Sequence, residues 1–282
     1  MDENTEKLFE KIEILFSNFE EIQEKINKLI ENNETTWIFR GQSNEEWEIE
    51  SSFKRASDNY FIKEKKEDYF NIEKNLIREF KRKAHNYISK EPKDTLEWIS
   101  LMRHYGAPSR LIDFTYSPYV ALFFAIESMS FHENNDNNIL ECAVHCINTE
   151  LFKNEFYTPN NDGKKYKRID CFLKNTKNKN FVLNISPYYL NERITIQQGT
   201  FLCQLNIENL FEENLKGNFK LIEKEKNINR KDFYKKITIR LTKKDRQKLI
   251  DKLHRMNINL ATIYPGLEGF ARSLSTRMKL NS

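Results

Sequence analysis

From Leu8 onward, apolar residues recur at Ile12, Leu15, Phe19, Ile22, Ile26 and Leu29 in alternating steps of four and three. That spacing predicts one helix over the first 30 residues with a narrow apolar seam, fit to dock on its own domain or to pair with a second chain. A short apolar run, "TTWIFRG", follows and reads as a strand ending in glycine. Residues 66–90 return to helical spacing through Tyr69, Ile72, Leu76, Phe80, Ala84 and Tyr87. Asp94 is placed as the N-cap of a helix over "TLEWISLMRHY", which Gly106 ends. "APSRLIDFTYS" is loop or strand, and Ser117 with Pro118 opens an apolar helix, "PYVALFFAIESMS".

The later chain switches to strand-like runs at "ILECAVHCIN", "FVLNIS", "TFLCQLNI" and "YKKITIRL". Two helices are expected near 243–257 and 265–280. The pattern predicts an α+β fold: a mixed or antiparallel sheet with flanking helices, the helices gathered in the first half and the strands in the second. The organisation expected is an N-terminal amphipathic helix over 1–32 and a main domain over 33–282, with a Lys/Asn-rich insertion near 153–180.

Composition changes this picture in three ways. No apolar run approaches the ~18 residues of a membrane span, and the acidic, amphipathic start is unlike a signal peptide, so a cytoplasmic protein that does not enter the membrane is expected. Net charge is +4, with 46 basic against 42 acidic residues, so no overall polyanion footprint exists. Basic excess is local, at "EFKRKAHNY" (79–87) and between Lys164 and Lys179. Cys142 and Cys146 flank His145, but on a strand the cysteines share one face and the histidine takes the other. They read as buried, reduced thiols, and no metal is expected.

Candidate chemistry concentrates in four stretches. Arg40 ends a strand beside Gly41 and Gln42, where a planar guanidinium can grip phosphate or carboxylate and the glycine admits a flat ligand. In "RHYGAPSRLIDFTYSP" (103–118) a tight turn presents Ser109, Arg110 and Asp113. Arg110 and Asp113 either pair with each other or line a pocket. Tyr105 and Tyr116 offer stacking faces, and Ser117 opens a helix whose free N–H groups suit an anion. His104 has the pKa for acid–base work or serves as a helix cap. In "NERITIQQGTF" (191–201), Gln197 and Gln198 before Gly199 point to opposite sides of an extended chain, so only one faces a pocket. Glu268 in "YPGLEGF" is explained by capping. No Walker loop, H-E-x-x-H or Rossmann fingerprint is present.

These stretches, in this order, resemble the FRG domain family. They are Phe39-Arg40-Gly41, the run H-Y-G-x-P-S-R-L-I-D-F-T-x-S-P over 104–118, Arg193 with Gln197, Gly199 and Phe201, and Pro265 with Leu267 and Gly269. The family's usual aspartate after that last proline is Gly266 here, which argues against catalysis at that position. The Arg-Gly motif is in turn similar to that of arginine-type ADP-ribosyltransferases. That resemblance implies an ADP-ribosyltransferase-like fold with NAD as substrate, Arg40 on the pyrophosphate, and Gln198 and Glu192 as catalytic partners, Glu192 in place of the absent E-x-E pair. It implies NAD-dependent ADP-ribosyl transfer to a macromolecular acceptor, or NAD cleavage, in a bacterial toxin or antiphage defence effector; Lys/Asn richness suits an AT-rich bacterial genome. Two alternatives stay open. One is a module that senses a nucleotide or other small molecule without turnover. The other is nucleic-acid chemistry using Asp113, His104 and the basic 164–179 segment. A partner or second copy is expected on the N-terminal helix.

Overall fold

The computed structural model describes residues 8–31, 36–60, 68–88, 90–129, 139–152, 180–186, 192–225 and 229–280. The expected insertion, its Lys164–Lys179 run and Cys171 lie outside them. In chain order the elements are β1 (Glu10–Leu15), α1 (Phe19–Ile30), β2 (Trp37–Gln42), α2 (Ser52–Asn59), α3 (Tyr69–Ala84), α4 (Thr95–His104), β3 (Leu111–Thr115) and α5 (Pro118–Glu127). Then come β4 (Leu140–Asn148), β5 (Val182–Ile185), α6 (Glu192–Ile196), β6 (Gly199–Gln204), α7 (Phe211–Glu225), β7 (Tyr234–Leu241), α8 (Lys243–Arg255), α9 (Leu260–Ile263) and α10 (Leu267–Leu280).

The fold is α+β. Among the described residues, seven strands form one mixed sheet in the order β1-β7-β4-β2-β3-β6-β5. β1 runs parallel to β7, and every other pair is antiparallel. Three strands come from the first half of the chain, so the expected division into a helical half and a strand half does not hold.

The single N-terminal helix is also corrected. Ile12 and Ile14 alternate with charged neighbours, which a strand satisfies and a helical seam does not. Ile14 is buried and Leu15, a seam residue of the helical reading, is 66 % exposed. Asn18 then restarts the chain as a helix, its side chain accepting from the Glu21 N–H at 2.9 Å. Phe19, Ile22, Ile26 and Leu29 all enter the main core, so the apolar face proposed for a partner is covered by the protein's own sheet.

Helices cover both faces of that sheet. On one face α1, α5 and α8 pack over Phe39, Cys142, Val144, Cys146, Ile237 and Ile239. On the other, α7 packs Phe211, Leu215 and Phe219 over Ile38, Ile112, Phe114, Ile147 and Leu202. The period-2 alternation of β4 divides as its sequence requires: Cys142, Val144 and Cys146 point one way, and His145 the other. Burial pushes the thiols of Cys142, Cys146 and Cys203 up, which keeps them protonated and inert.

Glycine decides one contact. A Cβ at Gly41 would stand 1.9 Å from the Ala121 carbonyl oxygen and 2.5 Å from the Ala125 nitrogen. Gly41 therefore lets α5 lie against β2; its first duty is helix–sheet packing rather than the approach of a flat ligand. No described helix is long and apolar enough to cross a membrane.

Candidate anion-binding cleft

β2 and β3 pair at a single position, Phe39 with Thr115. Beyond it the strands splay, although β2 keeps its full ladder with β4 and β3 its ladder with β6. Arg40 bridges the gap, its Nη1 donating to the Asp113 carbonyl oxygen at 2.8 Å. A cleft of about 780 Å³ opens at this split.

Its arginines come from four elements: Arg40 on β2, Arg55 on α2, Arg103 on α4 and Arg193 on α6. Arg40 Nε is buried without a hydrogen-bond partner among the described residues. Burial first, then the neighbouring Arg103 and Arg55, pull the Arg40 guanidinium down to about 10 against the attraction of Asp113. It stays cationic at neutral pH. Burial also lowers Arg55, with Arg103 adding to the effect. The same lining sets the carboxylates of Glu46, Glu48, Glu50 and Asp113 against these four guanidiniums.

Arg103 grips Asp113 through both Nε, at 2.9 Å, and Nη2, each donating to Oδ2. Burial would raise the Asp113 carboxyl, but Arg103, and after it Arg40 and Arg193, outweigh burial and hold it below the ordinary carboxylate value. Its side chain remains 44 % exposed: it lines the cleft and is wetted from the cavity side, so its pairing with Arg103 is that of a water-accessible ion pair.

The rest of the wall is built by turns that the sequence marks. Gln197 donates from Nε2 to the Ile263 carbonyl at 3.0 Å, and its own carbonyl accepts from Thr115 Oγ1 at 2.6 Å. Tyr264 lies 4.6 Å from each of the Arg193 and Arg272 guanidiniums, in cation–π range. A Cβ at Gly269 would collide with the Tyr264 carbonyl, so the second glycine of "PGLEG" sets this ring's position. The mouth carries exposed Glu46, Trp47 and Glu48, with Glu50 deeper.

Gln42 lines the same cleft, but its amide is engaged. Nε2 donates to the Glu48 carbonyl at 3.1 Å, and Oε1 faces His145 Nε2 at 2.6 Å. His145 Nδ1 is 2.9 Å from the Tyr234 hydroxyl. Burial, with Lys236 and Arg40 beyond it, keeps His145 neutral. This buried chain anchors the cleft's 43–50 wall to the sheet.

Of the residues singled out in sequence, the cleft gathers Arg40, Gly41, Gln42, Asp113 and Gln197. His104 lies in an adjoining smaller cavity. The others stand apart. Arg110 does not pair with Asp113; it is fully buried and its Nε donates to Glu73 Oε1 at 2.6 Å. Ser109 is buried and tied to α2, its N–H donating to Ser52 Oγ at 3.1 Å. Ser117 is occupied as an N-cap, accepting from Val120 N–H at 3.3 Å, so the α5 terminus is closed by its own side chain. Tyr105 and Tyr116 are exposed outside the cleft lining. Gln198 is exposed in a left-handed turn, φ 48°, and Glu192 is exposed at the start of α6; neither lines the cleft. Gly199 packs on Ile194, where a Cβ would meet its Cγ2 at 3.3 Å. Sequence reasoning missed Arg55, Arg103 and Tyr264 as cleft residues and gave Arg193 no role of its own. For Arg103 the spacing to Asp113 from a helix end into the next strand was a usable signal; for Arg55 there was none.

Residues 35–134, about a third of the chain, match the FRG domain family. No curated protein and no solved structure matches the chain. The comparisons give no support to the likeness to ADP-ribosyltransferases, and the Gln197 and Tyr264 segments lie beyond the matched residues.

Proposed function

We propose that the cleft binds a nucleotide, its phosphates on Arg40, Arg55, Arg103 and Arg193, with NAD the dinucleotide to test first. The observation that supports this reading is the convergence of these four guanidiniums on one cavity, with a buried Arg40 Nε–H that has no partner among the described residues. A planar fork with an unsatisfied donor is suited to phosphate oxygens, which accept charge-assisted bonds. Trp47 and Phe124 at the cleft give the base apolar surface, and the mouth carboxylates of Glu46 and Glu48 accept from ribose hydroxyls.

A second reading, cleavage of NAD, is favoured by Asp113, an ionised carboxylate within the cleft. In that reaction the bond between ribose C1′ and the pyridinium nitrogen breaks, and its electron pair leaves on nicotinamide. Water or an acceptor hydroxyl then adds to C1′ and releases a proton. Asp113 would face the oxocarbenium-like carbon electrostatically. Glu192 and Gln198, placed outside the cleft, take no part.

The test is thermal unfolding of wild type and Arg40→Ala with NAD, ADP-ribose and ADP, with free nicotinamide assayed alongside. At a ligand concentration of about 100 Kd, wild type gains about 2.7 kcal/mol and Arg40→Ala gains little of it. No shift with any of the three ligands in wild type would overturn the binding reading. Shifts without nicotinamide release would leave a sensing module.

A further inference from the structure

Helix α3 bears a row of cations that the cleft does not use. Lys74, Arg78, Lys81 and Arg82 follow one another at i, i+4, i+7 and i+8, so they share one helix face. They line a groove of about 900 Å³ that has no lining residue in common with the arginine cleft. Lys74, Arg78 and Arg82 are exposed.

None of the four makes an ion pair among the described residues, because the two acids of α3 are engaged elsewhere. Glu73 is buried on Arg110, its Oε1 accepting from Nε at 2.6 Å. Glu79 Oε1 meets Lys83 Nζ at 3.0 Å, and Arg82 acts on it more weakly. Exposed lysines on other helices have acids beside them, as Lys28 has Glu24 and Lys248 has Asp245. Helix polarity accounts for Lys81, Arg82 and Lys83 in the last turn. It does not account for Lys74 and Arg78, which stand in the second and third turns, beyond the reach of the helix ends.

The row is also held in place. Glu73 on Arg110 fixes α3 to the sheet. Phe80 meets Trp98 of α4 edge to face at 6.3 Å, and Lys81 Nζ lies 5.4 Å from the same indole. Lys74 and Arg82 are about 12 Å apart along the helix axis. Over that length a nucleic-acid strand, at about 3.4 Å per phosphate, presents three or four charges. At the N-terminal end of the row the half-buried Phe70, four residues before Lys74, lines the same groove. A cationic groove that follows a backbone, with an aromatic ring for a base, suits a single strand. An acidic peptide would need the charges but not the ring.

We infer that this face of α3 binds a single strand of nucleic acid through its phosphates, with Phe70 stacking on one base. The inference is independent of what the cleft holds. Phosphate contacts fix position and every base has a stacking face, so the strand is bound with little regard to its sequence.

Fluorescence anisotropy of the whole chain with labelled oligo-dT and oligo-U of about 16 nucleotides tests it, with labelled poly-glutamate as the rival polyanion. Lys74→Gln with Arg78→Gln removes two contacts, and Phe70→Ala removes the ring. Lys244→Gln with Arg255→Gln, at exposed positions of α8, removes the same charge elsewhere. Unliganded melting temperatures are the folding control. Wild type binds an oligonucleotide and, with four contacts, loses about fiftyfold in affinity between about 50 and 200 mM salt. The α3 double variant binds about tenfold more weakly, with a log–log salt slope shallower by about 1.4. Phe70→Ala weakens binding about fivefold or more at unchanged slope, and the α8 variant binds like wild type. Absence of oligonucleotide binding at about 50 mM salt, or equal loss in the α3 and α8 variants, overturns the inference. Poly-glutamate bound as tightly as the oligonucleotides, or a folded Phe70→Ala variant that binds like wild type, overturns it as well, since charge alone would then suffice.

Discussion

The Arg110–Glu73 pair gives the sharpest quantitative test, because it separates a residue that builds the fold from one that serves the ligand. Arg110 is 0 % and Glu73 5 % exposed. The guanidinium meets the carboxylate fork to fork, Nε donating to Oε1 at 2.6 Å and Nη2 to Oε2, while Nη1 reaches the Gln204 and Leu205 carbonyls at 3.3 Å each. Burial opposes the charge on Arg110, but Glu73 outweighs it and raises the guanidinium pKa. Glu73→Gln therefore leaves a buried, uncompensated cation and costs about 3–5 kcal/mol. With an unfolding entropy of about 2.1 cal/mol/K per residue over 282 residues, that is a fall of about 5–8 °C in Tm. Arg110→Met with Glu73→Leu removes both charges. It should return to within about 2 kcal/mol of wild type, the residual cost lying in the two carbonyls that lose their donor. Differential scanning calorimetry and urea unfolding of the single and double variants close the cycle. A Glu73→Gln cost below about 1 kcal/mol would refute the buried pair. A folded double variant that no longer gained stability from NAD or ADP would refute its separation from the cleft.

Two further outcomes are expected. Gly41→Ala sets a Cβ 1.9 Å from the Ala121 carbonyl, so α5 must lift off β2. Loss of about 3 kcal/mol or more, or of soluble protein, is expected, and an unchanged urea midpoint would contradict the packing role. Burial depresses the His145 pKa, so the folded state binds fewer protons than the unfolded one; the stability from the neutral imidazole is complete above about pH 6.5 and falls as pH drops below it. His104 is shifted in the same direction, so His145→Gln should lessen, without abolishing, the slope of unfolding free energy against pH between about 5 and 6.5. An unaltered slope would show that His145 titrates normally in the fold.

What the sequence determined by itself was local. The β4, β5, β6 and β7 runs, the α4 and α8 helices, and the Ser117–Pro118 start of α5 follow from period and capping, which act over a few residues. The same local logic put His145 on the face opposite Cys142 and Cys146. Residues 10–15 read wrongly because Ile12 and Leu15 fit a helical seam as well as a strand; the parallel partner that settles the matter, β7, lies more than 200 residues away.

The site divided along the same line. Arg40, Gln42, Asp113 and Gln197 were legible as special residues because each stands beside a turn or strand end. The identity of their partners was not. Arg110 and Asp113 stand three positions apart in the chain, yet one closes on Glu73 from α3 and the other on Arg103 from α4. Arg55 carries no local mark at all and Tyr264 only its place before the Pro265–Gly266 turn; both reach the cleft only because α2 and the α9–α10 turn are folded against the place where β2 and β3 part. Local propensity is written in a few neighbouring residues. A cavity is defined by surfaces that meet from distant parts of the chain, so only the tertiary structure could decide which charges share it.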